Sequence, residues 1–272
     1  MYVNPITTKT FNWDASFNFT QYESVVEELI PGIEPILLNG FVSTSSRAVE
    51  GESYGAIFGS RWLRDSNGNQ LVDDNGLAIQ DPTSGVIGDP IPDFTLGFRN
   101  SFEYKNLTLT AVLDIRKGGD VWCGTCGILD YFGVSKKTGE LREQTYVVNG
   151  IRQSDGQPNT TTVAYADPSG GLGANRWVRY GFGGTAEDNI YDGSYLKLRE
   201  LSLSYSLNQK FLNAIGFSNL IITASGRNLL LVTDYPGIDP ETNLTGDSNG
   251  FGLDYFNQPF TKSYALSLRL TF

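Results

Sequence analysis

Apolar and polar residues alternate with a period of two in several blocks of this chain, and between the blocks the alternation lapses. From 11 to 21, Phe11, Trp13, Ala15, Phe17 and Phe19 alternate with Asn12, Asp14, Ser16, Asn18 and Thr20. Successive side chains of a strand point to opposite faces, so this spacing predicts a strand with one apolar and one polar face. Residues 93–105 set Phe94, Leu96, Phe98, Phe102 and Tyr104 against Thr95, Arg99, Ser101 and Glu103. Residues 107–117 set Leu107, Leu109, Ala111, Leu113 and Ile115 against Thr108, Thr110, Val112, Asp114 and Arg116. The two blocks meet around Tyr104-Lys105-Asn106, which predicts a hairpin with a very short turn.

A fourth strand is expected over 194–207, where Leu201, Leu203, Tyr205 and Leu207 oppose Ser202, Ser204 and Ser206. Its first half is out of phase, with Leu196 and Leu198 on the serine side and Lys197 and Arg199 on the apolar side. Either a bulge near Glu200 resets the register, or the two cations lie above an apolar layer. Alternation is weaker over 220–233. It is complete over 263–272, where Tyr264, Leu266, Leu268, Leu270 and Phe272 share one face. Ten residues is about the length a tilted strand needs to cross a bilayer.

The links between these six strands are unequal. Those near Asn106 and across 208–219 are short, while 22–92, 118–193 and 234–262 are long. In an up-and-down arrangement every long link falls at one end of the sheet and every short one at the other. That asymmetry belongs to outer-membrane barrels, with short periplasmic turns and long extracellular loops. The expected fold is therefore all-β, an antiparallel up-and-down segment of a transmembrane barrel over residues 1–272. Six strands are fewer than the roughly eight of the smallest barrels, so the chain is expected to be part of a larger one.

Composition narrows the chemistry. The chain has 272 residues, 40% hydrophobic and 12% aromatic, and its 18% charged content is below the roughly 25% usual for soluble domains. It has no histidine, which removes the side chain most used for general base work and zinc binding near neutral pH. A net charge of −10 argues against a nucleic-acid partner, whose phosphates call for a basic surface. No cofactor, metal or catalytic residue is expected. Asp65-Ser66-Asn67-Gly68-Asn69 and Asp73-Asp74-Asn75-Gly76 approach a calcium loop but lack its closing Glu, and are expected to be tight turns. No apolar run is long enough for a membrane helix, and residues 1–5 do not read as a signal peptide, so an export signal would have to lie elsewhere.

Trp122-Cys123-Gly124-Thr125-Cys126 holds both cysteines and has the spacing of a thioredoxin redox motif. A reactive thiolate is usually set at a helix N-terminus within a βαβ unit. Here no amphipathic helix is expected after the pair, which leaves a small disulfide loop or two idle thiols.

Several segments, in this order, resemble the C-terminal part of SusC/RagA-type TonB-dependent outer-membrane transporters. They are Gly51-Glu52-Ser53-Tyr54-Gly55-Ala56-Ile57-Phe58-Gly59, Gly88-Asp89-Pro90-Ile91-Pro92-Asp93-Phe94 with Gly97-Phe98, and Lys117-Gly118-Gly119-Asp120. Asp192-Gly193-Ser194-Tyr195-Leu196-Lys197-Leu198-Arg199, Gly226-Arg227-Asn228-Leu229, Tyr235-Pro236-Gly237-Ile238-Asp239-Pro240-Glu241 and the terminal Phe272 complete the set. The likeness covers nearly the whole chain. It implies a 22-stranded barrel in the outer membrane of a Gram-negative, Bacteroidota-type cell, with a plug and a TonB-contacting segment outside these residues. It further implies a SusD-like surface lipoprotein as lid and import of oligosaccharides or peptides.

Within that frame Asp14, Asn18, Arg99, Asp114 and Arg116 are expected to face the lumen or plug. Trp62, Trp122, Trp177, Tyr180 and Tyr235 fall in loops where a sugar ring can stack, or where they simply pack. No substrate-binding residue carries over from the family. Lys197 and Arg199 are expected to meet lipopolysaccharide phosphates or to serve as rim charge. The row Tyr264, Leu266, Leu268, Leu270 and Phe272 resembles the strand recognised by the outer-membrane assembly machinery. The competing expectation is a secreted soluble β-domain that binds glycans.

Overall fold

The computed structural model describes residues 1–166, 175–180, 184–207, 212, 217–246 and 250–271. Seven strands make one antiparallel sheet: β1 (Tyr2–Thr7), β2 (Phe11–Thr20), β3 (Phe94–Tyr104), β4 (Leu107–Lys117), β5 (Tyr195–Ser206), β6 (Asn219–Val232) and β7 (Ser263–Thr271). Their order in the sheet is their order in the chain, and β1 and β7 form its two open edges. The sheet is thus a meander, a curved wall that does not close on itself.

Register explains why the alternation in each strand matters. Phe11 faces Tyr104, Phe17 faces Phe98 and Phe19 faces Leu96 across β2 and β3. The same row continues through Leu107, Leu109, Leu113 and Ile115 of β4 and Leu196, Leu198, Leu203 and Tyr205 of β5. It reaches Leu220 and Ile222 of β6 and ends on Leu270, Leu268, Leu266 and Tyr264 of β7. Because paired residues share a face, these rows build one apolar surface. Its last members stay open, Tyr264 being 77% and Leu266 74% exposed. The opposite face carries Asp14, Ser101, Thr110, Ser202 and Ser225 in line.

The phase break in β5 is a bulge. Both neighbours shift register between Leu198 and Glu200: Arg199 is an extra residue against β4, while β6 sets both Asn228 and Leu229 against it. Leu196 and Leu198 therefore join Leu201 and Leu203 on the apolar face, while Lys197 and Arg199 turn to the polar one.

Strand β1 has no counterpart in the sequence expectation. Pro5 lacks an N–H, and the β1–β2 register skips from Val3 to Ile6 around it; a proline of this kind is tolerated on an edge strand. The segment between β2 and β3 also proved more regular than expected. It folds Ile36–Gly40, Thr44–Ala48, Ala56–Gly59 and Gly85–Gly88 into a second antiparallel sheet. These strands are four or five residues long, and Thr44, Ser45 and Ser46 are buried despite their polarity. Neither length nor composition lets them display a period.

The three long connections interlock. Asp120–Cys123 pairs with Ile190–Asp192 on one side and runs parallel to Leu253–Asp254 on the other. Leu71–Val72 runs parallel to Ile151–Arg152. Among the most deeply buried apolar residues, Ile57, Val72, Val121, Cys123 and Leu253 lie in these connections, and Leu212 lies in the short link between β5 and β6. Among the described residues, most of the core sits at the long-loop end of the wall rather than within it.

Candidate functional site

Two of the resembling segments meet on the polar face of β5. The segment 235–241 folds back onto the wall and delivers Asp239 and Glu241 to Lys197 and Arg199. Lys197 Nζ donates to both oxygens of Asp239 at 2.7 Å and also to Glu241. Arg199 Nε donates to Asp114 on β4 at 3.0 Å, and its Nη2 donates to Glu241. The Tyr195 hydroxyl lies 2.8 Å from Glu241. Lys197 is only 4% exposed and is sandwiched by the Tyr195 and Phe260 rings, 4.8 and 5.0 Å away.

Buried charges persist where each is paired and hydrogen-bonded, and two cations here face three carboxylates. Burial opposes the charge on Glu241, yet the bonds from Arg199, Lys197 and Tyr195 outweigh it and hold the carboxyl at about 2. Lys197 and Arg199 therefore do not reach lipopolysaccharide, nor do they serve as exposed rim charge. They clamp a loop to the inside of the wall.

The same loop is anchored at its other end. The Tyr235 hydroxyl donates to Asp254 at 2.7 Å, and Thr125 Oγ1 lies 3.4 Å from the same carboxylate. Burial, followed by the neighbouring Asp254 charge, pushes the Tyr235 phenol up. Cys123 and Cys126 form a disulfide beside this pair. Contrary to expectation a helix does follow the cysteines: α1 (Gly124–Tyr131) starts on Cys123, whose sulfur accepts from the Cys126 N–H. Gly124 opens this helix because a side chain there would collide with Trp122 and Tyr255. Cys123 is fully buried, so the motif is packed into the loop core.

Other resembling segments also pair off. Asp120 N donates to Asp89 O at 2.6 Å, and Asp89 N donates to Asp120 Oδ2 at 2.8 Å. Ser53 Oγ donates to Asp89 Oδ2 at 2.6 Å. Segments far apart in the sequence are thus contact partners at the loop end of the wall.

Among the aromatic residues anticipated in the loops, Trp62, Trp177 and Tyr235 are 7%, 5% and 4% exposed, which makes them packing residues. The Tyr180 side chain lies outside the described residues. Trp122 remains accessible. With Phe41 and Tyr255 it walls a cavity of about 300 Å³. Tyr255 lies parallel to Trp122, and Phe41 meets both edge-on. Trp122 Nε1 is buried and has no acceptor among the described residues. Neither Phe41 nor Tyr255 stands in a periodic block, so the sequence offered no signal for them.

The remaining anticipated residues spread over the polar face. Asp14 accepts from Tyr2 on β1 at 2.6 Å, while Asn18 and Arg99 are exposed. Asp65 and Asp73 close turns: Asp65 Oδ1 accepts from the Asn67 and Asn69 N–H groups, and Asp73 Oδ1 from those of Asn75 and Leu77. Tyr264, Leu266, Leu268 and Leu270 line the free edge strand; Phe272 lies outside the described residues.

No family model matches the chain. It is 29% identical over 295 residues to TonB-dependent receptor P3 of Formosa agariphila, a match covering 98% of this chain and 27% of that protein. It is 24% identical over 286 residues to TonB-dependent receptor SusC of Bacteroides thetaiotaomicron, covering 98% of this chain and 25% of that protein. Among solved structures, the RagAB peptide transporter superposes with a TM-score of 0.61 at 17% identity, over all of this chain and 28% of the other. The chain thus spans about a quarter of the length of the curated relatives it matches. Its meander wall, its interlocked loops and these likenesses agree: over nearly its whole length the chain is similar to a barrel portion of SusC/RagA-type TonB-dependent receptors.

Proposed function

We propose that the chain supplies wall and surface loops to an outer-membrane importer that takes up oligosaccharides or peptides in a Bacteroidota-type cell. In this reading 22–92, 118–193 and 234–262 are extracellular loops, and the wall belongs to a barrel of about 22 strands closed by chain outside these residues. A SusD-like lipoprotein covers the loop end, and a TonB complex drives transport through a plug elsewhere in the receptor. The β7 row Tyr264, Leu266, Leu268 and Leu270, continued by Phe272, is the face handled by the assembly machinery.

The observation that carries this reading is the division of labour in the fold. An apolar sheet face stays open while all three long connections gather at one end into a built surface with its own core. A soluble glycan-binding domain would have to hide Tyr264 and Leu266 instead. The similarity to a peptide transporter structure supports solute import of one of the two kinds named.

The test uses the intact receptor in its native membrane. A deletion strain should lose uptake of a defined oligosaccharide or peptide mixture, and the tagged receptor should fractionate with the outer membrane and co-purify with a surface lipoprotein. Recovery in the soluble fraction without detergent, or unchanged uptake of both mixtures, would overturn it.

A further inference from the structure

We propose that Arg116, on the polar face of β4, is the anchor of a carboxylate-binding site. Half of the arginines of this chain face an acidic partner. Arg61, Arg64, Arg152, Arg176, Arg199 and Arg227 each meet an Asp or Glu. Arg116 is half-buried and meets none among the described residues. Its Nε donates to Gly118 O at 3.2 Å and its Nη2 to Pro90 O at 2.8 Å. A guanidinium has five N–H groups, so both on Nη1 and one on Nη2 are left over.

The carboxylates around it are committed elsewhere. Glu241 is held by Lys197, Arg199 and Tyr195. Asp192 accepts from Ser194 and pairs with Lys117, and Asp120 accepts from the Asp89 N–H. A partly desolvated cation with no carboxylate bonded to it is costly, and here the scaffold keeps it in place. Gly119, at φ +80°, is bare where a side chain would strike both Arg116 Nη2 and Pro90 O.

Arg116 lines a cavity of about 380 Å³ whose wall combines the hydroxyl-bearing Tyr22, Tyr54 and Tyr195 with the apolar Pro90, Ile91 and Phe251, and also includes Glu241, whose charge Lys197 and Arg199 offset. A single cation with a planar fork matches a singly charged, two-oxygen anion. A phosphate dianion would find only one positive group. The apolar wall in turn suits a carbon body attached to the carboxylate. Two solutes share that chemistry, a uronic acid residue and the C-terminus of a peptide. Selecting for it deepens the importer reading and rests on it.

Calorimetric titration of the intact purified receptor in detergent tests the site without requiring transport. The probes are trigalacturonate against its methyl ester, and a pentapeptide without acidic side chains against its C-terminal amide. At least one acid should bind about tenfold or more tighter than its neutral twin, as expected for a charge-assisted bond, and the responding pair identifies the source. Arg116→Gln should erase that preference and Arg116→Lys keep part of it. Because Arg116 also props two loop carbonyls, Ile91→Glu gives a second test: a carboxylate built into the cavity should compete for the fork and abolish the preference with those carbonyl bonds intact. Equal binding or no binding of acid and neutral twins, or a preference that survives either Arg116→Gln or Ile91→Glu, overturns the site. The importer reading falls separately, only if uptake of both solute mixtures is unchanged in the deletion strain.

Discussion

Trp13 Nε1 donates to Asn100 Oδ1 at 3.1 Å across the β2–β3 ladder. Asn100 faces Ala15 and Trp13 faces Phe102, so the two are diagonal neighbours in the middle of the apolar row. Asn100 is 7% exposed there, and a carboxamide on a surface that meets hydrocarbon must find its partner within the protein. Trp13→Phe in the intact receptor should therefore lower unfolding stability in lipid vesicles by roughly 1–3 kcal/mol. Adding Asn100→Leu should recover most of the loss, since removing both partners leaves nothing unsatisfied. A denaturant titration decides it; equal stability of the single and double variants would refute the role given to the pair.

The clamp on β5 makes a sharper demand. Lys197→Met leaves Asp239 and Glu241 without their shared cation in a largely buried place. Breaking one side of such a pair costs about 3–5 kcal/mol, and the loss should appear as release of the 235–241 segment rather than collapse of the sheet. Limited proteolysis of the intact receptor should then cut within 233–262 while the wall strands stay protected. The combined change Lys197→Met with Asp239→Leu should be less damaging than Lys197→Met alone.

What could be read from the chain, and what could not, follows from where each element gets its stability. Strands such as β2 and β4 expose one face to an apolar medium, so Phe11–Phe19 and Leu107–Ile115 carry their period openly. The Lys197 and Arg199 phase break was visible too, because a bulge leaves a one-residue slip in that period. The strand Thr44–Ala48 was not, since Thr44, Ser45 and Ser46 are buried by tertiary packing that no local pattern encodes. Helix α1 was missed for a similar reason: eight residues capped by a cysteine sulfur offer neither a usual N-cap nor two full apolar turns. The resembling segments could be recognised, but that Asp239 seeks Lys197, 42 residues away, is a property of the fold.

The disulfide should stiffen the loop core without doing chemistry on a solute. Bridging residues three apart removes little chain entropy, about 2 kcal/mol for so short a loop in the chain-entropy account. Replacing Cys123 and Cys126 together with Ser should lower the intact receptor's stability by no more than about that amount. Hydrogen exchange should rise in α1 and around Tyr235 and Asp254, which pack against Cys123. Uptake that falls to zero with the loops still protected would point instead to a redox role.

Acid should loosen the same clamp within a defined window. Glu241 titrates at about 2 in the folded chain against an ordinary 4.5. A carboxyl with a depressed pKa favours folding fully above the ordinary value, and that contribution drains away as pH falls through the folded one. Thermal unfolding of the intact receptor, compared with Glu241→Gln at each pH, isolates the effect from the other carboxylates. The gap between the two proteins should be constant above about pH 4.5 and narrow steadily from there to about pH 2. A gap that closes already near neutral pH, or stays open at pH 2, would mean that Arg199 and Lys197 do not hold Glu241 in its charged form.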